Sequence, residues 1–88
     1  MLKDQIVVIT GGAGLIGQAF VKSIIKQNGK AIIADIDLEL GQSVKFELCS
    51  QLKTENIDFI KMDVTSKDSI KDAVSYLDEK YRKIDALV

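Results

Sequence analysis

The chain contains no histidine, no proline and no tryptophan, and its single cysteine, Cys49, has no partner for an intramolecular disulfide. The absence of histidine excludes imidazole catalysis and the usual histidine-containing zinc sites within these 88 residues. The single cysteine leads us to expect a reducing, cytoplasmic setting. Neither sign of charge predominates, since 12 basic residues balance 13 acidic ones and the net charge is -1. We therefore expect no nucleic-acid partner and no anionic membrane surface as a partner.

Long apolar runs are also missing, because no segment approaches the roughly 18 residues that a membrane-spanning helix needs. We expect no membrane association and no export signal. What is present is the composition of a globular protein, with 47% hydrophobic and 28% charged residues. A length of 88 residues allows one compact unit.

Short apolar runs alternate with helical repeats along the chain. The runs predict strands over residues 4–10, 30–35, 57–63 and 83–88, and apolar residues at three- and four-residue spacing predict a helix in each interval. Such alternation is typical of right-handed crossovers and a parallel sheet with helices on both faces. We therefore predict a doubly wound α/β fold of about four strands and three helices.

Local signals predict where the helices begin and end. Gly29 is expected to end the first helix in a left-handed conformation, and Asp37 to cap the start of the second. Thr65, with Asp68 three residues later, resembles a capping box for the third helix.

A glycine-rich turn follows the first predicted strand. Gly12, Gly14 and Gly17 form the pattern G-x-G-x-x-G within residues 10–17, which directly follow the apolar run Ile6-Val7-Val8-Ile9. A helix N-terminus offers unpaired backbone N–H groups and the positive end of its dipole, and glycines let the backbone approach phosphate oxygens. Glycine turns also join strands to helices for purely conformational reasons. The position between a strand and a helix in an alternating chain favours a dinucleotide pyrophosphate site.

An acidic residue ends the second predicted strand, where a dinucleotide site needs one. Asp35 lies 18 residues beyond Gly17 and 23 beyond Gly12, around the spacing of about 20 typical of a ribose-binding carboxylate. This carboxylate would repel a 2′-phosphate, and neither the turn nor Ile36 supplies an arginine or lysine to offset the repulsion. We therefore predict NAD in preference to NADP. The alternative is that Asp35 is a loop acid or a helix cap, or that it exchanges roles with Asp37.

Asp63 and Val64 close the third predicted strand, at the carboxyl edge where open α/β sheets bind ligands. This position makes Asp63 a candidate for contact with an adenine. Taken alone, the position is more typical of a strand-end acid that precedes the Thr65 cap.

These features together resemble the N-terminal part of a short-chain dehydrogenase/reductase, a family of nicotinamide-dependent enzymes with a Rossmann-type fold. The resemblance covers all 88 residues and rests on Thr10-Gly11 with Gly14 and Gly17, Asp35, Asp63-Val64-Thr65 and Lys83-Ile84-Asp85-Ala86-Leu87-Val88. It implies that residues 1–88 are the N-terminal part of a single dinucleotide-binding domain with a Rossmann-type doubly wound parallel sheet.

The resemblance also implies a role for each part of the site. Residues 11–17 would hold the pyrophosphate, Asp35 and Ile36 the ribose, and Asp63 and Val64 the adenine. The predicted cofactor-binding residues are Gly11, Gly12, Ala13, Gly14, Leu15, Ile16, Gly17, Asp35, Ile36, Asp63 and Val64.

The implied reaction is hydride transfer between the nicotinamide and a carbonyl or alcohol of a small-molecule substrate. By the same resemblance, the catalytic Ser-Tyr-Lys set is not in this segment, which we expect to be inactive alone, and the full-length enzyme is a homo-oligomer. We predict no catalytic residue and no metal ligand within the 88 residues.

The spacing of the glycines departs from the usual pattern of the family's short branch, and other protein classes therefore stay open. The glycines of residues 10–17 follow T-G-x-x-G-x-x-G, the spacing of the extended branch of sugar-nucleotide epimerases and dehydratases, whereas the short branch usually has T-G-x-x-x-G-x-G. Asp63-Val64-Thr65 and the ending resemble the short branch, which we favour. A methyltransferase that binds S-adenosylmethionine is a second alternative, although its acid usually ends strand one, where this chain has Thr10. A non-catalytic nucleotide-sensing or scaffold protein is the third.

The segment Tyr76-Leu77-Asp78-Glu79-Lys80 matches the family's Y-x-x-x-K catalytic pattern in the wrong place. It falls before the fourth strand, whereas the catalytic tyrosine of the family lies on a helix after the fifth. We therefore interpret Tyr76 and Lys80 as a solvated pair on the flank of the third helix.

Overall fold

The computed structural model describes residues 5–11, 13–81 and 84–87. Strands and helices alternate along them in the order β1 (Ile6–Thr10), α1 (Leu15–Lys26), β2 (Lys30–Asp35), α2 (Leu38–Leu52), β3 (Ile57–Lys61), α3 (Lys67–Tyr81) and β4 (Ala86–Leu87). The predicted α/β alternation is confirmed. The third strand ends at Lys61, two residues earlier than the sequence pattern predicted.

The four strands form one sheet in the order β3-β2-β1-β4, and every neighbouring pair is parallel. The chain winds outward from β1 to β3 and then returns to the opposite side of β1 to form β4. The direction of winding therefore reverses between β1 and β4, which opens a crevice at the carboxyl ends of these strands. The turn that follows β1 lies at this crevice.

Helices cover both faces of the sheet, so its central strands are buried on both sides. On one face, α1 and α2 contribute Val21, Ile24, Val44 and Leu48 to a core shared with the strands. On the other face, α3 contributes Ala73 and Leu77 to a second core. Because β1 and β2 are covered on both faces, their side chains are apolar without alternation. Burial of one such side chain stabilises the fold by about 1.5–3 kcal/mol.

The ends of α1 and α2 test the predicted helix signals. Asp37 caps α2 as predicted, since its side chain accepts a hydrogen bond from the backbone N–H of Leu40 at 3.0 Å. The end of α1 differs from the prediction. The left-handed residue is Asn28, with φ 67°, and Gly29 follows it and donates its N–H to the carbonyl of Ile24. Asparagine tolerates this conformation better than other non-glycine residues, so it takes the position that we assigned to glycine.

The start of α3 is also displaced by one residue from the prediction. Ser66 is the capping residue, because its hydroxyl oxygen accepts the N–H of Ser69 at 3.1 Å. Thr65 instead donates both its N–H and its hydroxyl to Asp63, which is a local turn rather than a cap. The predicted capping box of Thr65 and Asp68 is therefore wrong, because the Thr65 side chain bonds backwards.

Gly41, within α2, packs directly against the ring of Phe59 on β3. A Cβ at this position would overlap three atoms of the ring, so the ring would have to move as a unit. We expect Gly41→Ala to lower the free energy of unfolding by about 1–2 kcal/mol, because the overlap outweighs the roughly 1 kcal/mol that alanine gains in a helix. Urea denaturation of the full-length protein measures this change.

The matched control keeps the Gly41→Ala substitution but replaces the ring that the new Cβ would displace. In a Phe59→Leu background there is no ring to displace, so Gly41→Ala should then stabilise the protein or leave it unchanged. An equal loss in both backgrounds would show that Phe59 is not the cause.

Across the described part of the chain, no helix is both long and apolar enough to cross a membrane.

Candidate cofactor site

The turn after β1 has a backbone conformation that requires glycine at one position. Gly11 has φ 67°, the left-handed region that residues with a side chain rarely adopt. Its N–H donates to the carbonyl of Ala34 on β2 at 2.7 Å, and its own carbonyl accepts the N–H of Gly14 at 3.1 Å. The tight turn after β1 is therefore formed at Gly11, and Gly12 lies outside the described residues.

The turn leads into a helix whose N-terminus is uncapped. The N-cap residue of α1 is Gly14, which makes no side-chain hydrogen bond to the helix, and the first turn contains no acidic residue. By contrast, α2 has the Asp37 cap and α3 has Asp68 in its first turn. Among the described residues, no side chain therefore caps the first turn of α1, and its backbone N–H groups and positive dipole end can face an external anion.

The side chains around this N-terminus leave it accessible. Leu15 and Ile16 are 86% and 78% exposed, whereas Ala13 and Gly17 are buried against the fold. The buried pair anchors the turn, while the exposed pair lines the approach to the helix.

Asp35 connects the end of β2 to this turn. One carboxylate oxygen, Oδ2, accepts the backbone N–H of Ala13 at 3.3 Å, and the other, Oδ1, accepts the N–H of Asp37 at 3.1 Å. The structure therefore brings the predicted ribose ligand to the predicted phosphate turn. It also distinguishes the two acids, because Asp37 is the helix cap and Asp35 is the residue beside the turn.

The end of β3 lies beside Asp35, because the N–H of Met62 donates to the carbonyl of Asp35 at 3.0 Å. The next two residues are Asp63 and Val64. Val64 is 56% exposed and Ile36, after β2, is 57% exposed, so two apolar side chains reach solvent at the same edge of the sheet. An exposed apolar pair of this kind suits the faces of a planar ring.

Asp63 is held by its neighbour. Its Oδ1 accepts the Thr65 hydroxyl at 2.6 Å and the Thr65 N–H at 2.9 Å, and these two bonds hold the pKa of the Asp63 carboxyl below its usual range. Asp63 is therefore ionised and can only accept hydrogen bonds through its side chain, as an adenine amino group requires.

Sequence reasoning missed one charged residue at this edge. Lys61 is the register partner of Asp35 in the β2–β3 pair. The two are 26 positions apart in the sequence, so no local motif joins them. The signal that could have identified Lys61 is its place as the last residue of the strand next to the one that Asp35 ends.

The Tyr76–Lys80 pair lies away from this site. Lys80 forms an ion pair of 2.8 Å with Asp58, near the amino end of β3, and Tyr76 is 53% exposed on α3. The ion pair of Lys80 therefore lies near the amino ends of the strands, whereas the glycine turn lies at their carboxyl ends. Within the ranges that the structure describes, no group of three or more histidine, cysteine, aspartate or glutamate side chains could hold a metal ion.

Comparison with known proteins gives a consistent result. Residues 5–88 match the family described as short chain dehydrogenase. The chain is 39% identical to post-translational flagellin modification protein A of Campylobacter coli, covering all of this chain and 34% of that protein. It is 37% identical to short chain aldehyde dehydrogenase 1 of Euphorbia lathyris, covering 98% of this chain and 29% of that protein. The chain therefore spans about a third of the length of these relatives.

Solved structures agree in fold. A short-chain dehydrogenase/reductase of the glucose/ribitol dehydrogenase type from Brucella melitensis superposes with a TM-score of 0.83 at 28% identity, over 98% of this chain and 35% of that one. A 3-ketoacyl-(acyl-carrier-protein) reductase from the same organism, solved with NADH, superposes with a TM-score of 0.85 at 23% identity, over 99% and 34% of the two chains. The matches do not favour an extended-branch epimerase or a methyltransferase. With the family match across residues 5–88, they show a partial Rossmann-type fold, and the chain belongs to the short-chain dehydrogenase family.

Proposed function

We propose that this chain binds NAD as part of an oxidoreductase that transfers a hydride between the nicotinamide and a carbonyl or alcohol of a small-molecule substrate. The observation that carries the proposal is the uncapped N-terminus of α1, which opens onto the glycine turn beside Asp35. An uncapped helix start suits a pyrophosphate, and a carboxylate that contacts the turn suits a ribose diol.

The residues present fit a dinucleotide. Residues 11–17 would hold the pyrophosphate through backbone N–H groups, with the Gly11 turn and the Gly14 N-cap leaving room for its oxygens. Asp35 would accept the hydroxyls of the adenosine ribose beside Ile36, and Asp63 and Val64 would contact the adenine. When bound, the cofactor supplies the hydride acceptor or donor, while these residues bind and orient it.

The wider setting of the reaction is part of the same proposal. Lys80 is paired with Asp58 at the opposite edge, so we place the catalytic Ser-Tyr-Lys set in chain beyond residues 1–88 and expect this segment alone to be inactive. Oxidoreductase names among the relatives, such as secoisolariciresinol dehydrogenase of Forsythia intermedia, support the reaction class. We further propose that the full-length enzyme is a cytoplasmic homo-oligomer.

Asp35→Ala tests the proposal at the ribose. We expect the variant to bind NAD about 10- to 100-fold more weakly, because a carboxylate that accepts two hydroxyls contributes about 1.5–3 kcal/mol. Affinity for NADP should be unchanged or increased, because the charge that repels the 2′-phosphate is gone. Calorimetric titration of the full-length protein with each cofactor measures both affinities.

Asp72→Ala is the matched control, because Asp72 is an exposed acid on α3 and its loss changes the net charge equally. It should bind both cofactors as the unaltered protein does. Equal affinity for NAD in Asp35→Ala and the unaltered protein would contradict the assignment of Asp35 to the ribose.

A further inference from the structure

Lys61 and Asp35 end two neighbouring parallel strands at the same edge of the sheet. They are paired in register, with Asp35 the last residue of β2 and Lys61 the last residue of β3. Paired residues of adjacent strands lie about 5 Å apart along the sheet, less than the length of an extended lysine side chain.

Both side chains also belong to the same face of the sheet. Side chains alternate along a strand, so each residue shares a face with the residue two positions earlier. Those residues are Ile33 and Phe59, and both belong to the core that α1 and α2 cover. Lys61 is therefore on the side of Asp35 and not on the side of α3.

The positive charge of Lys61 is available to a ligand. Its side chain is exposed, and no ion pair joins it to an acid in the described part of the chain. Within the same ranges, Lys45 and Lys80 do form ion pairs, and both pair with Asp58 near the amino end of β3. Asp35 itself accepts two backbone N–H groups, so Lys61 is not needed to hold it.

We propose that Lys61 is a specificity-determining residue that weakens the discrimination against a 2′-phosphate which Asp35 alone would impose. This inference rests on the proposed NAD site. The carboxylate of Asp35 favours an unmodified ribose, whereas the ammonium of Lys61 attracts a phosphate at the 2′ position. The site therefore prefers NAD but accepts NADP more readily than a site with an unaccompanied aspartate.

The test compares NAD and NADP binding to the full-length protein and to Lys61→Gln by calorimetry. NADP carries a doubly charged phosphate where NAD has a hydroxyl, so the variant should bind NADP about five- to tenfold more weakly and NAD within about twofold of the unaltered protein. The loss of NADP affinity in Lys61→Gln should be smaller at high salt, because the Lys61 ammonium is exposed and its attraction for phosphate is screened. Lys61→Arg should retain the affinity for NADP.

Lys71→Gln is the matched control, because it removes the same charge from an exposed position on α3 and should change neither affinity. If Lys61→Gln lowers both affinities equally, or neither, while the unaltered protein binds NAD, the role of Lys61 is overturned and the proposed function stands. Failure of the unaltered protein to bind NAD would overturn the proposed function and this inference with it.

Discussion

Gly14→Ser is expected to weaken NAD binding about 30-fold or more while leaving the stability of the fold unchanged or slightly higher. Gly14 is the N-cap residue of α1, and its φ of -76° and ψ of 171° are accessible to any residue. A Cβ there would meet only the carbonyl oxygen of Gly11, at an ordinary contact distance of 3.5 Å. The protein alone therefore does not require glycine at this position.

A serine at position 14 would supply the cap that α1 lacks. Ser66 shows the same chemistry in this chain, since its hydroxyl oxygen accepts the N–H of Ser69, three residues on. The new hydroxyl would take the N–H of Gly17 in the same way, and serine and glycine differ by only a few tenths of a kcal/mol as N-caps. The pyrophosphate would then lose both a donor and the space that the glycine leaves.

Two measurements separate the effects on folding and binding. Urea denaturation gives the stability of Gly14→Ser, and calorimetry gives its affinity for NAD. Gly14→Ala is the control that adds a Cβ without a cap, and it should lose less affinity for NAD than serine while losing about 0.5–1 kcal/mol of stability. NAD binding by Gly14→Ser at the affinity of the unaltered protein would show that the pyrophosphate does not lie at this helix end.

The parts of the fold set by local pattern were predictable from the sequence. Strand and helix alternation follows from apolar spacing, and the cap at Asp37 follows from a carboxylate that needs only its own helix as partner. The errors lie where two local partners compete. Thr65 could cap α3 or bond back to Asp63, and Asn28 or Gly29 could end α1, and only the packed structure decides between them.

The site shows the same division between local and distant contacts. The glycine turn and Asp35 were identified because they follow a strand at a recurring spacing. Lys61 was not, because its relation to Asp35 arises only when β2 and β3 pair in a particular register. Tyr76 and Lys80 illustrate the reverse case, a matching pattern that the fold puts at the wrong edge.

Asp58→Ala is expected to lower the free energy of unfolding by about 2–3 kcal/mol. Asp58 lies on β3, the edge strand, and bonds to both helical layers. Its Oδ1 accepts a hydrogen bond from Lys45 Nζ of α2 at 3.3 Å, and its Oδ2 accepts hydrogen bonds from Lys80 Nζ and the Tyr81 hydroxyl of α3. The side chain is 19% exposed, so these bonds are partly shielded from water and salt.

The loss should come from the bonds rather than from the space that Asp58 fills. Asp58→Asn keeps the shape but removes the charge, so it should lose most of the same stability. Asp72→Asn is the control, because Asp72 is an exposed acid beyond the first turn of α3, and it should change stability by less than about 0.5 kcal/mol. Equal stability of Asp58→Asn and the unaltered protein in urea would contradict the prediction.

The same cluster of bonds predicts how the free energy of unfolding changes at acid and at alkaline pH. Partial burial raises the pKa of Asp58, but the hydrogen bonds from Lys80, Tyr81 and the Phe59 N–H outweigh it and hold the pKa well below its usual range. A depressed carboxyl pKa stabilises the fold above the unfolded value of about 4, and this contribution is lost as the pH falls from there.

Tyr81 acts on the alkaline flank. Burial and the hydrogen bond that it donates to Asp58 raise the pKa of Tyr81 to about 12. A raised pKa stabilises the fold fully below the unfolded value of about 10, and this contribution declines as the pH rises towards 12. Urea midpoints measured from pH 3 to pH 11 should therefore show a smaller acid decline and a smaller alkaline decline in Asp58→Asn than in the unaltered protein. Tyr81→Phe should remove the tyrosine's part of the alkaline decline and leave most of the acid one, because Lys45 and Lys80 would still bond to Asp58.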